Sequence, residues 1–144
     1  MSKQVQINNL KIAYPKLDKP VKYQDNLQWE CMLYTSDTDK VNELEALGLK
    51  MRRNEAEDRW ETNVKRRATR ADGSENTAPV VVDRSGKPHE NIRKIGNDSV
   101  VNVILASFDY NRNGRQGTMI ILNGVQVVEQ IDFNPVEVTF AALD

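Results

Sequence analysis

Residues 4–14 (QVQINNLKIAY) place Val5 and Ile7, then Leu10, Ile12 and Tyr14, at every second position, with the phase broken at Asn8-Asn9. Period-two alternation predicts a strand with one buried face, and the broken phase predicts a bulge or bend. Pro15 and Pro20 bound a polar stretch over residues 15–26 that reads as a loop. Residues 27–34 (LQWECMLY) alternate again, with Leu27, Trp29, Cys31 and Leu33 facing one way, and predict a second strand. Ser36-Asp37-Thr38-Asp39 then resembles a capping box with Ser36 at the cap position. Val41, Leu44, Leu47 and Met51 follow at helical spacing. They form one apolar face of an amphipathic helix of about 11 to 14 residues. Gly48 is placed to end or weaken it.

The second half is richer in strand signals. Residues 71–78 (ADGSENTA) form a polar turn region, Pro79 to Asp83 (PVVVD) is a short β-branched run, and Ser85-Gly86-Lys87-Pro88 breaks it. Residues 99–110 (SVVNVILASFDY) carry the strongest strand pattern of the chain. Asn102, Ile104, Ala106, Phe108 and Tyr110 share one face of it, and Val101, Val103 and Leu105 the other. Asn111 to Gly117 (NRNGRQG) is a glycine-bearing hairpin loop. Residues 118–122 and 125–129 return, with a kink or bulge at Asn123-Gly124. The sum is five or six strands and one helix: a mainly β chain forming one domain over residues 1–144.

Composition narrows the chemistry. Lys plus Arg number 20 and Asp plus Glu 21, a net charge of −1, which excludes a uniformly basic coat for duplex DNA. That total hides a division. Residues 50–70 hold eight cations (Lys50, Arg52, Arg53, Arg59, Lys65, Arg66, Arg67, Arg70) against four acids (Glu55, Glu57, Asp58, Glu61), while residues after 70 are acidic. One Cys (Cys31) forbids an intramolecular disulfide and fits a reducing compartment. With one His (His89), a Cys/His metal centre or a nucleophile–base pair has too few members. No Walker loop, Rossmann glycine pattern or HExxH motif is present. No metal, cofactor or catalytic residue is expected, and the chain reads as a non-enzyme. No apolar run reaches the length of about 18 residues that a membrane span needs, and residues 1–6 lack a signal-peptide core. The expectation is a soluble protein of the cytoplasm.

Two stretches suit single-stranded nucleic acid, which asks for cations against phosphates and aromatic faces against bases. Trp60-Glu61-Thr62-Asn63-Val64-Lys65-Arg66-Arg67-Ala68-Thr69-Arg70 sets an indole before four positive charges. In an extended segment Trp60 shares the face of Thr62, Val64 and Arg66, away from Lys65 and Arg67. The hairpin offers Phe108 and Tyr110 on one face, with Arg112 and Arg115 at its tip. A solvated charged strand with a core tryptophan, and ordinary cross-strand packing, are the plain alternatives. Gly114-Arg115-Gln116-Gly117 spells the GxxG of KH domains, but that motif joins helices and here it joins strands. Asp37-x-Asp39 could hold a divalent cation, yet helix capping accounts for both acids.

The order of these pieces resembles the bacteriophage single-stranded DNA-binding proteins with an OB-fold, distantly similar to the T7-type binding protein. The resemblance runs over residues 5–130. It rests on the opening Lys11 to Pro20 (KIAYPKLDKP), the strand 28–34 running into Ser36-Asp37-Thr38-Asp39 and the helix, and Trp60 to Arg67 before the Pro-Val-Val-Val-Asp run. Its most specific part is the long hairpin with Val-Asn-Val, Asn-x-x-Gly-x-x-Gly and Val-Gln-Val-Val. The resemblance implies an OB-fold, a five-stranded Greek-key barrel with one helix, binding single strands in a cleft. Many such replication proteins end in a long acidic tail that recruits partners; residues 132–144 are only mildly acidic, with Leu143-Asp144 as a remnant. The expected function is sequence-independent binding of single-stranded DNA in phage replication or recombination. Its expected phosphate contacts are Arg52, Arg53, Lys65, Arg66, Arg67, Arg70, Arg112 and Arg115. Trp60, Phe108 and Tyr110 are the stacking residues, and phage or host replication proteins are further partners. A homodimer is compatible with all of this. The competing reading is an OB-like protein-interaction module, a phage inhibitor or accessory factor of a host enzyme, using the aromatics as its interface.

Overall fold

The computed structural model describes residues 2–70 and 72–133, with the backbone alone for Ser2, Tyr23 and Arg112. Nine elements follow in order: β1 Ser2–Tyr23, β2 Asn26–Thr35, α1 Thr38–Leu47, β3 Arg52–Asn54, β4 Arg59–Arg67, β5 Val80–Val82, a 3-10 turn Ile92–Lys94, β6 Val100–Arg112 and β7 Arg115–Glu129. The strands order as β3-β4-β2-β1-β6-β7-β5. Five long strands, β4-β2-β1-β6-β7, carry the fold, and β4 and β7 approach each other without a shared ladder, so the sheet curls into a partly open barrel. This is the mainly β OB-fold architecture expected, with β3 and β5 as two short additional edge strands.

Alternation decides which side chains fill the barrel. Val101, Val103 and Leu105 face Val127, Val125 and Leu122 across β6 and β7, and all are buried. Ile12 faces Leu33, and Cys31 faces Val64, in the same interior. Each large aliphatic side chain so buried contributes roughly 1.5–3 kcal/mol. Helix α1 adds Val41, Leu44 and Leu47. Its cap is Asp37, whose carboxylate accepts the Asp39 N–H at 2.9 Å, rather than Ser36, whose hydroxyl donates to the Asp58 carbonyl. The helix stops at Gly48, in the left-handed conformation.

The irregularities fall where the polar interruptions predicted them. Asn9 takes a positive φ, and β1 shifts register between Ile7 and Leu10. A second shift sits between Ile104 and Leu105, opposite Gly124 and Leu122. The expected loop over residues 15–26 is a difference: β1 runs on to Tyr23 through shifts between Ala13 and Lys16 and between Lys16 and Val21. Pro15 and Pro20 fall in these irregular stretches, where the ladder asks for no proline N–H. The expected tail over residues 134–144 lies outside the described residues.

Candidate nucleic-acid interface

β4 pairs with β2 along its length, but with β3 only over Arg59–Glu61. The other edge of residues 62–65 therefore faces β7 across a gap. That gap is a cleft of about 300 Å³ lined by Lys50, Arg52, Asn63 and Lys65 on one side and Thr118 and Ile120 on the other. Among the described residues, no acidic one lines it.

The outer face of the sheet continues the positive surface. Cross-strand partners share a face. Arg52, Glu61, Tyr34 and Lys11 make one such row, and Lys65, Glu30 and Lys16 another. Arg67 stands beside Gln28 on the same face. Arg59 lies over the Tyr34 ring at 3.8 Å and donates to Glu61 at 2.8 Å. Glu61 also accepts from Asn54 at 3.0 Å, and these two donors, with the Arg59 and Arg52 charges, hold its carboxyl below the usual range. Glu61 is thus neutralised locally, and Glu30 is the other acid on these rows.

The sequence-predicted residues divide. Arg52 and Lys65 meet in the cleft, and Arg67 extends the outer face. Arg66 points the other way, opposite the buried Trp29. Its guanidinium donates to Thr77 O at 2.7 Å, Asn123 Oδ1 at 2.8 Å, and Asn76 Oδ1 and Thr77 Oγ1 at 3.1 Å each. Partial burial, then the Arg70 charge, lower its pKa from the ordinary arginine value. Arg70 is bonded to the Glu75 carbonyl at 2.9 Å within its own loop. Arg53 is paired with Asp58 and Glu55 and sits 5.7 Å over the half-buried Trp60, on the face opposite Arg52. Phe108 and Tyr110 face Met119 and Gly117, whereas the cleft-lining Thr118 and Ile120 face Asp109 and Ser107. The two aromatics, 37% and 43% exposed, therefore occupy the side of the hairpin away from the cleft. Tyr110 lies so closely over Gly117 that any Cβ there would overlap its ring. Arg112 and Arg115 pair at the hairpin tip, where Arg115 is exposed and the Arg112 side chain lies outside the described atoms.

Lys11, Lys16, Lys50 and Arg59 join this surface without being among the expected phosphate contacts, although Lys50 and Arg59 belong to the cationic stretch. Parity could have found Arg59, which alternates in phase with Lys65 and Arg67. Lys16 was hidden by the proline-rich stretch, and Lys50 by the loop after the helix.

No protein-family model matches the sequence, and no curated protein sequence matches it. Solved structures do match. The single-stranded DNA-binding protein of bacteriophage Enc34, solved in complex with single-stranded DNA, aligns with a TM-score of 0.63 and 15% identity over 89% of this chain and 87% of that one. The single-stranded DNA-binding protein gp2.5 of bacteriophage T7 aligns with a TM-score of 0.59 and 18% identity over 95% and 92%. The chain has the fold of the phage single-stranded DNA-binding proteins. Within OB-folds, the face of the second and third strands and the two flanking hairpins bind oligonucleotides. In this chain that face is β2 and β4, flanked by the β1–β2 and β6–β7 turns.

Proposed function

We propose that this protein binds single-stranded DNA without sequence preference and without catalysis, in phage DNA replication or recombination in the host cytoplasm. The observation that carries the reading is the cleft between β4 and β7, where Lys50, Arg52 and Lys65 converge with no lining acid among the described residues. Cations so placed neutralise phosphates and release counterions, and phosphates carry no sequence information. Arg67 and Lys16 extend the track over the OB binding face. Arg66 acts as a positioning residue that fixes the loop before β5 against β7.

A salt titration of oligo-dT binding tests this. Five phosphate contacts on a single strand give a slope of log K against log salt of about −3.5. Lys65→Ala and Arg52→Ala should each weaken binding and flatten that slope by about 0.7. Salt-independent binding, or cleft variants that bind like the parent, would remove the assignment. A second reading has its own observation: Phe108, Tyr110 and Met119 form an exposed apolar patch on the outside of the hairpin. If that patch is a protein interface, Phe108→Ala and Met119→Ala abolish partner binding and leave oligo-dT affinity unchanged.

A further inference from the structure

Two strands over from β4 and the cleft, β1 has a free edge of its own. β6 pairs with residues 2–11 of β1 only, so residues 14–21 border the segment 92–97 instead. Between them runs a groove of about 430 Å³ lined by Tyr14, Lys16, Lys19, Val21, Arg93 and Phe133 among others. Two large aromatics are left in solvent there, Tyr14 at 60% and Phe133 at 58% exposure. Neither exposure is an accident of a loose loop. One short segment anchors both: the Tyr14 N–H donates to Asn97 Oδ1 at 2.7 Å, and the Phe133 N–H to the Lys94 carbonyl at 2.7 Å. Gly96 lets the segment 131–133 come this close, since a Cβ there would stand 2.6 Å from the Ile131 carbonyl oxygen. Tyr14 is held at φ 48°, a left-handed backbone unfavourable for a bulky residue. The strain turns the ring outward and gains no core packing, the pattern of a residue kept for contact.

Charge and continuity identify the contact. Lys16, Lys19 and Arg93 outnumber Asp18 on the groove lining, and Arg93 reaches Asp18 at 3.6 Å. Lys16 belongs both to this groove and to the outer row that leads through Glu30 to Lys65. Two strand spacings, roughly 10 Å, separate those two lysines. We infer that the groove is a second subsite of the same track, in which Tyr14 and Phe133 stack on unpaired bases of single-stranded DNA while Lys16, Lys19 and Arg93 meet its phosphates. This rests on the single-strand-binding reading above. It supplies the aromatic component that the cleft lacks.

The test compares oligo-dT of about 5 and about 16 nucleotides, within and at the upper end of an OB footprint. Tyr14→Asn keeps the left-handed backbone accessible, and Phe133→Ala removes an exposed ring; circular dichroism establishes that each variant is folded. Each should weaken the long oligonucleotide about five- to 150-fold, and Tyr14→Phe should restore parental affinity. The short oligonucleotide, held in the cleft, should be unaffected by Tyr14→Asn and weakened by Lys65→Ala. Phe133→Trp should add oligonucleotide-dependent fluorescence quenching absent from the parent. Folded variants that bind the long oligonucleotide like the parent overturn the subsite even if Lys65→Ala weakens binding. A shift in sedimentation of those variants would then assign the groove to a second copy of the chain. If the parent binds neither length, the underlying reading fails with it, a result visible before any variant is made.

Discussion

Arg66→Met separates the two roles that a run of cations can have. Methionine keeps an apolar stem beside Trp29 and removes the guanidinium. Four hydrogen bonds go with it, but they are not equal. Those to Asn123 and Asn76 are partly buried, whereas those to the Thr77 carbonyl and hydroxyl are exposed, so water replaces the latter. A hydrogen bond to a charged group contributes about 1.5–3 kcal/mol, and the cost of partly desolvating the arginine subtracts from that. Two counted bonds less the desolvation leave a loss of about 2–3 kcal/mol. This is a sizeable fraction of a typical stability of about 5–15 kcal/mol. With a denaturant slope of about 2 kcal/mol per molar, the urea midpoint falls by about 1–1.5 M. Equilibrium unfolding followed by circular dichroism measures it. Lys65→Ala, one residue away and on the other face, should leave the midpoint within about 0.3 M, since surface substitutions cost under about 0.5 kcal/mol. Oligo-dT affinity should behave oppositely: reduced in Lys65→Ala and near parental in folded Arg66→Met. The reasoning is refuted if Arg66→Met unfolds at the parental midpoint while binding as poorly as Lys65→Ala.

Glu30 stands between Lys16 and Lys65, so Glu30→Gln should tighten oligo-dT binding several-fold at low salt, an effect that a salt titration shows fading as the Debye length shrinks. Burial, helped by Glu30, pushes the Cys31 thiol up to about 12, so a thiol reagent at pH 8 should leave the native protein unlabelled and modify it fully in urea. Glu61 has a folded pKa below its unfolded value, so its contribution to stability is present above the ordinary carboxylate range and is lost as pH falls through the folded value. Glu61→Gln should accordingly lower the urea midpoint at pH 7 and match the parent in strong acid.

The barrel was legible because period-two alternation survives in β2, β6 and β7, and because the breaks at Asn8-Asn9 and Asn123-Gly124 coincide with real register shifts. The second half of β1 was not legible, since prolines in a strand are tolerated only where the ladder is irregular, and a sequence does not announce which irregularities a long strand will absorb. For the interface, the cationic stretch and the parity that sets Arg66 apart from Lys65 and Arg67 were visible, but which of the two faces met the nucleic acid was not. Lys65 and Arg67 differ from Arg66 only by parity, and which parity faced the interior depended on pairing with Trp29 and Cys31. Arg52 and Lys50 gain their meaning from the gap between β4 and β7, a contact between segments more than 50 residues apart that local pattern cannot carry.

The distribution of groups also constrains the mode of grip. Cations without aromatics line the cleft, and aromatics stand on the hairpin exterior and in the groove beside β1. A strand held only in the cleft would be bound through phosphates, with strong salt dependence and no preference among bases. Stacking is less sensitive to salt, so a strand that also reaches Tyr14 and Phe133 should retain part of its affinity where the cleft alone has lost its own. The ratio of long- to short-oligonucleotide affinity should therefore rise with salt. A net charge of −1 works in the same direction, because acidic residues elsewhere on the chain leave little general attraction for polyanions. Retention at high salt then requires the strand to follow the track from one free sheet edge to the other.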